Sequence, residues 1–213
     1  VAGVAGLVVL LVVAVGLFIK LQPTLAPLVL PGGAVSAPAG PLVGSWDVAA
    51  GSVAGFRVQE TALGFRNDTV GRTSAVTGAV VLSGGRLTSA AVRVDLTAVK
   101  VGGKRQPQFA KSLDTARYPE ATFTLTRPVT LSPAFASGAT IRVTATALLE
   151  LNGVSRQVTF TVSGRRAGTA LQVAGSMPVT FSSWDIRGPS GYGLLGSLAN
   201  HGVAEFLLVL HRV

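Results

Sequence analysis

The side chains able to do chemistry in this 213-residue chain are few and dispersed. Gly191-Tyr192-Gly193-Leu194-Leu195-Gly196 has the G-x-G-x-x-G form of a phosphate-cradling turn. That chemistry needs a preceding parallel strand and a following helix N-terminus. Here the motif lies in a Pro/Gly-rich stretch, 187–202, which reads instead as a loop able to cover a cavity entrance like a lid. His201 and His211 are the only histidines, and there is no cysteine. Thiolate metal sites, disulfides and cysteine catalysis are thereby excluded, and no histidine spacing suits a metal. No G-x-S-x-G elbow presents a serine nucleophile. The nine acidic residues are dispersed without a close carboxylate pair, so glycosidase chemistry has no footing. Asn67-Asp68-Thr69 has the form of a glycosylation sequon. The expectation is a non-catalytic protein without metal.

The charge balance is +9, of which +8 belongs to the chain from Leu42 onward. Its arginines are scattered singly, the densest pairs being Lys104-Arg105 and Arg165-Arg166. Nucleic-acid binders cluster cations and interleave exposed aromatics, so a surface facing anionic polymers or lipid headgroups is the better reading. Arg165-Arg166 reads as a solvated hairpin end.

From Trp46 on, the dominant period is two, which half-buried antiparallel strands require. Ile141, Val143, Ala145 and Ala147 alternate with Arg142, Thr144 and Thr146. Val158, Phe160 and Val162 alternate with Thr159 and Thr161, and Val92, Val94 and Leu96 with Arg93 and Asp95. Further strands are expected near 46–49, 55–61, 75–83, 121–127, 171–181 and 203–211. Ser83-Gly84-Gly85-Arg86 and Asn152-Gly153 carry two-residue hairpin chemistry. Residues 104–117 read as a loop with one short helix. Eight or more strands with short turns predict an antiparallel barrel or a sandwich. Because many inward candidates are Ala, Val or Thr, a barrel would hold an elongated apolar cavity, whereas a sandwich would close it. Composition leaves both open.

Residues 1–19 are uninterruptedly apolar and end at Lys20. At about 1.5 Å per residue such a helix approaches the hydrocarbon thickness of a bilayer. A cleavable signal peptide is the rival, but its apolar region is about 7–15 residues with a small-residue cleavage site close behind, and Gln22-Pro23-Thr24-Leu25 offers none. Residues 1–21 are thus expected to be one transmembrane anchor, and the missing initiator Met predicts a few residues ahead of Val1. Residues 22–44, with five prolines between Pro23 and Pro41, are expected to be a semi-extended, partly mobile linker. Residues 45–213 form the β domain.

Within that domain an ordered set of signals carries a resemblance. Trp46 is followed by Gly51-Ser52. Lys111-Ser112, Tyr118-Pro119 and Phe123 come next, then Leu149 to Ser155. Together they resemble the YceI-like, polyisoprenoid-binding family over residues 45–213. The chain departs from the family pattern at Arg105-Gln106-Pro107-Gln108-Phe109, where an Asp and a His are expected, and at Asn152, where the hairpin carries His. The resemblance implies an all-β, antiparallel, lipocalin-like β-barrel exported to the bacterial envelope, on the extracytoplasmic side of the membrane. It also implies a bound apolar chain, a polyisoprenoid or isoprenoid quinone, and no other cofactor. Each buried CH₂ contributes about 0.8 kcal/mol, so apolar walls alone suffice for affinity.

The ligand-contacting side chains expected on this reading are Phe56 and Val58 on one strand, then Val92, Val94 and Leu96 on another. Phe123 and Leu125, Val143 and Leu149, Phe160 and Val162, and Val179 and Phe181 come from four more. Phe109, Tyr118 and Trp184 lie beside loops and are candidates for the cavity mouth. The alternative from a different class is an envelope-held interaction module with a filled core that docks a protein or an anionic polymer.

Overall fold

The computed structural model describes residues 25–62, 65–188 and 196–213. Its twelve strands run β1 (Gly44–Val48), β2 (Val53–Ala62), β3 (Phe65–Thr73), β4 (Val76–Ser83), β5 (Arg86–Asp95) and β6 (Lys100–Val101). Helix α1 (Pro107–Ser112) follows, then β7 (Glu120–Leu125), β8 (Val129–Thr130), β9 (Ile141–Leu151), β10 (Val154–Ala167), β11 (Ala170–Thr180) and β12 (Gly196–Arg212).

All pairings are antiparallel, and the sheet closes because the 17-residue β12 pairs with β11 along one edge and with both β2 and β1 along the other. β1 with β2, and β3 with β4, each act as one bent stave, giving a lipocalin-like, eight-strand, up-and-down barrel. Closure satisfies the edge hydrogen bonds that an open sheet would expose. The sandwich alternative is thereby excluded. Ser83↔Arg86 and Leu151↔Val154 flank two-residue turns at the expected Gly84-Gly85 and Asn152-Gly153. At the second, Asn152 and Gly153 have φ of 52° and 74°, the left-handed pair that matches strand twist.

The expected strands are all present. β3 was not expected: its sequence, FRNDTVGRT, has no apolar alternation and is held by pairing to β2 over nine residues. The stretch 187–202, expected to be a loop, is already strand from Gly196, with a bulge between Leu198 and Gly202. Residues 189–195, the middle of the stretch read as a lid, lie outside the described residues.

One barrel end is closed. Trp46 and Leu210 are its most deeply buried large side chains, packed with Leu82, Phe135 and Leu171. The other end is crossed by α1 and by a single 3-10 turn over Phe181–Trp184. Pro107 opens α1 where its missing N–H costs nothing.

Residues 25–43 do not hang free as a spacer; they are laid against the barrel as a strap. An extended Pro-rich segment makes no internal hydrogen bonds, so its carbonyls need outside donors, and arginines supply them. Arg72 donates to Ala26 O at 2.9 Å, Arg165 to Pro31 O at 2.6 Å, and Arg166 to Ala39 O and Gly40 O at 2.9 and 2.8 Å. The strap also pairs with the β10–β11 turn through Ala39 N–H to Gly168 O and Gly168 N–H to Ser36 O. This corrects the expectation of a solvated Arg165-Arg166 hairpin end. The two residues are 8% and 5% exposed, because the strap covers them.

Beneath the strap, Glu205 lies on the opposite face of β12 from Ala204, Phe206 and Leu208. Its carboxylate faces Arg72 at 2.6 Å and Arg57 at 3.6 Å, and accepts from Leu28 N–H at 3.0 Å. Arg57 also holds Asp68 at 3.1 Å. Among the described residues, no helix is long and apolar enough to cross a membrane. The expected anchor, 1–21, lies outside them.

Candidate functional site: an axial apolar cavity

Alternation sends every second residue of each stave inward, and the cavity lining is chiefly Val, Leu, Phe and Ala, with Thr only at Thr69 and Thr122. Small inward residues leave the barrel axis unfilled. A cavity of about 520 Å³ results, running from Ala54, Val80 and Ala90 near the closed end to Leu149, Val179 and Phe181 near the other. Volumes of about 300–1,000 Å³ are usual for small-molecule sites.

Most of the expected contact residues line it: Phe56, Val58, Val92, Val94, Leu96, Phe109, Phe123, Leu125, Leu149, Phe160, Val162, Val179 and Phe181. Three do not. Val143 has the inward parity of Ala145 but is packed against Val129, Ala145 and Phe160. Trp184 is 5% exposed and packed on the inward-facing Leu149 and Val179, so it fills the barrel at the end crossed by the 3-10 turn without lining the cavity. Tyr118 lies over the β9–β10 turn, where its ring fills the space a side chain at Gly153 would need. Asn152, standing where the resemblance expects His, ties the same turn to the 3-10 segment by donating to Trp184 O at 3.0 Å and Asp185 O at 3.2 Å.

Sequence reasoning missed Phe206 and Leu208, which line the cavity from β12. VAEFLLVL is apolar at both parities, so alternation could not say which face was inward. Phe206 extends an edge-to-face aromatic chain, with Phe123 and Phe160 centroids 5.3 Å apart and Phe160 and Phe206 6.2 Å apart. The contribution of β4, through Val76 and Val80, and that of Ala90 on β5 were also missed.

The mouth is where polarity collects. Glu60, near the end of β2, and Thr69, in the middle of β3, line the cavity, and Thr69 Oγ1 donates to Glu60 Oε2 at 2.7 Å. Gln106, Gln108 and Ser112 line it from α1 and its approach. Gln106 and Gln108 are the positions where Asp and His were expected. The Asn67-Asp68-Thr69 sequon is part of strand β3, its Asp68 and Thr69 side chains already engaged by Arg57 and Glu60. Among the described residues, no group of His, Cys, Asp and Glu could hold a metal ion.

Comparison with known proteins gives the same picture. Residues 46–204 match the model of the YceI-like domain. No curated protein matches the chain by sequence. A solved polyisoprenoid binding domain from Saccharophagus degradans, implicated in plant cell wall breakdown, is similar in fold. It has a TM-score of 0.62 at 17% identity, over 80% of this chain and 99% of that one. BcnA of Burkholderia cenocepacia is similar with a TM-score of 0.56 at 18% identity, over 76% of this chain and 98% of that one. With the family model matching across the barrel, the chain belongs to the YceI-like family.

Proposed function

We propose that this barrel binds a long, flexible apolar chain, an isoprenoid or similar lipid, and acts as a non-catalytic carrier or buffer. The observation that carries the reading is the axial cavity itself: about 520 Å³ walled by Val, Leu, Ala and Phe, with polar groups confined to one end. An apolar cavity of roughly 150 Å³ stays dry and takes one benzene. Scaling by volume, the barrel has room for about three to four units of that size, which is a chain of about C18 to C24. Burial of each CH₂ contributes about 0.8 kcal/mol, so such a chain binds tightly without a single hydrogen bond. Membership of the YceI-like family, and the polyisoprenoid binding of the similar Saccharophagus domain, support the same class of ligand.

In this reading residues 1–21, an apolar run up to Ile19, are a single-pass anchor at the bacterial cell envelope, with the barrel on the extracytoplasmic side. Its support is the length and hydropathy of that run. The test is gentle mass spectrometry of the full chain purified from its native host, followed by organic extraction. A solvent-released species of isoprenoid mass is the expected result. A ligand-free mass, with no uptake of an offered polyprenol or quinone, would instead favour the interaction module.

A further inference from the structure

The walls of the cavity select for apolar chain, but its mouth selects for something else. Glu60 is the carboxylate presented there, and only one of its oxygens is engaged, by Thr69. A carboxylate accepts about four hydrogen bonds, and among the described residues no donor is paired with Oε1. The other acidic residue touching the cavity, Glu205, is committed on the outer face to Arg57, Arg72 and Leu28 N–H. The lining contains no Lys, Arg or His among the described residues. Arg57, three positions from Glu60, is turned to the outer face by its pairs with Asp68 and Glu205.

Resting on the chain-binding reading, we propose that Glu60 makes this a site for chains ending in an uncharged donor, an alcohol or an N–H, and rejects phosphorylated chains. The hydroxyl of a seated alcohol donates to Glu60 Oε1, while Gln106, Gln108 and Ser112 can both donate and accept around it. All four line the one cavity, over which β6, paired with β3, and the stacking of Phe109 on Phe56, two alternations from Glu60 on the same strand, hold α1. A phosphate in the same place would bring anionic oxygens against a carboxylate, with no cation among the described lining residues to offset them.

The test offers the full chain, in a neutral detergent, an equimolar mixture of geranylgeraniol, its methyl ether and its monophosphate. Bound amounts are read by extraction and mass spectrometry. The alcohol is expected to exceed both others about tenfold, as the loss of one hydrogen bond to a charged group predicts. Glu60→Gln keeps the shape but removes the charge, and is expected to raise phosphate retention about tenfold with the melting temperature unchanged. Equal binding of alcohol and ether, or phosphate retention unaltered by E60Q, overturns the headgroup assignment while leaving chain binding intact. Retention of none of the three overturns the chain-binding reading and this one with it.

Discussion

Phe109 of α1 stacks on Phe56 of β2 across the cavity mouth, ring centroids 4.7 Å apart and planes 13° from parallel. Gly71, paired with Phe56 across the β2–β3 ladder, makes that geometry available, since a methyl group there would collide with the Phe56 ring. A helix of six residues cannot hold its own position, so this contact pins α1 over the entrance.

Phe109→Ala should therefore loosen the mouth more than the barrel. We expect about 1–2 kcal/mol of lost stability, from one aromatic pair and part of its burial. Ligand release should accelerate roughly tenfold, because affinity differences within one site fall mainly on dissociation. Stopped-flow release of a fluorescent polyene measures the second, and an unchanged rate would remove α1 from the entrance path.

A filled core and an open cavity respond oppositely to added volume. Ala90 borders the cavity near its closed end and is 7% exposed. In a packed core Ala90→Leu would cost about 1–3 kcal/mol. Here the three added carbons enter free space, so the ligand-free protein should lose less than about 0.5 kcal/mol, while the longest chain accepted shortens. Urea unfolding and a ligand series of increasing length check both halves.

Glu205 carries the strap and two guanidinium groups while 3% of its side chain is exposed. Removing one member of a buried charge group leaves the rest uncompensated, at about 3–5 kcal/mol. Glu205→Ala should show that loss in chemical denaturation. It should also speed proteolysis near Leu25 and Leu28, whose polar backbone atoms are held by Arg57 and Glu205. Resistance to cleavage there would mean that the Arg72 and Arg165 contacts suffice to hold the strap.

Arg166 caps the closed end by donating to carbonyls of Ala39, Gly40 and Ala136. Arg166→Met retains the length and apolar stem but abandons three buried acceptors. A destabilisation of about 2–4 kcal/mol follows from hydrogen bonds to a charged donor. Arg166→Lys should recover only part of it, since an ammonium cannot fork between carbonyls of two segments. Thermal melts of the two variants side by side give the comparison.

The strands and their turns could be read before any coordinates. Period-two runs at 141–147 and 154–162 and the Asn152-Gly153 turn define antiparallel strands with one apolar parity, while an open barrel and a closed sandwich stay equally compatible with them. These are local properties, set by the backbone repeat and by side-chain volume. The cavity-lining residues on alternating strands were legible for the same reason.

What alternation could not supply, tertiary structure decided. β3 has a polar sequence and exists because β2 offers it nine partners. The inward face of β12 was hidden by apolar residues at both parities, and only pairing with β11 and β2 chose Phe206 over Leu207. Arg165 and Arg166 look solvated until a strap more than a hundred residues away supplies their acceptors. Glu60 acquires its place at the cavity mouth only when the barrel closes. The strand pattern is written in neighbours along the chain; closure, burial of charge and the polarity of the mouth depend on partners the chain brings together only when it folds.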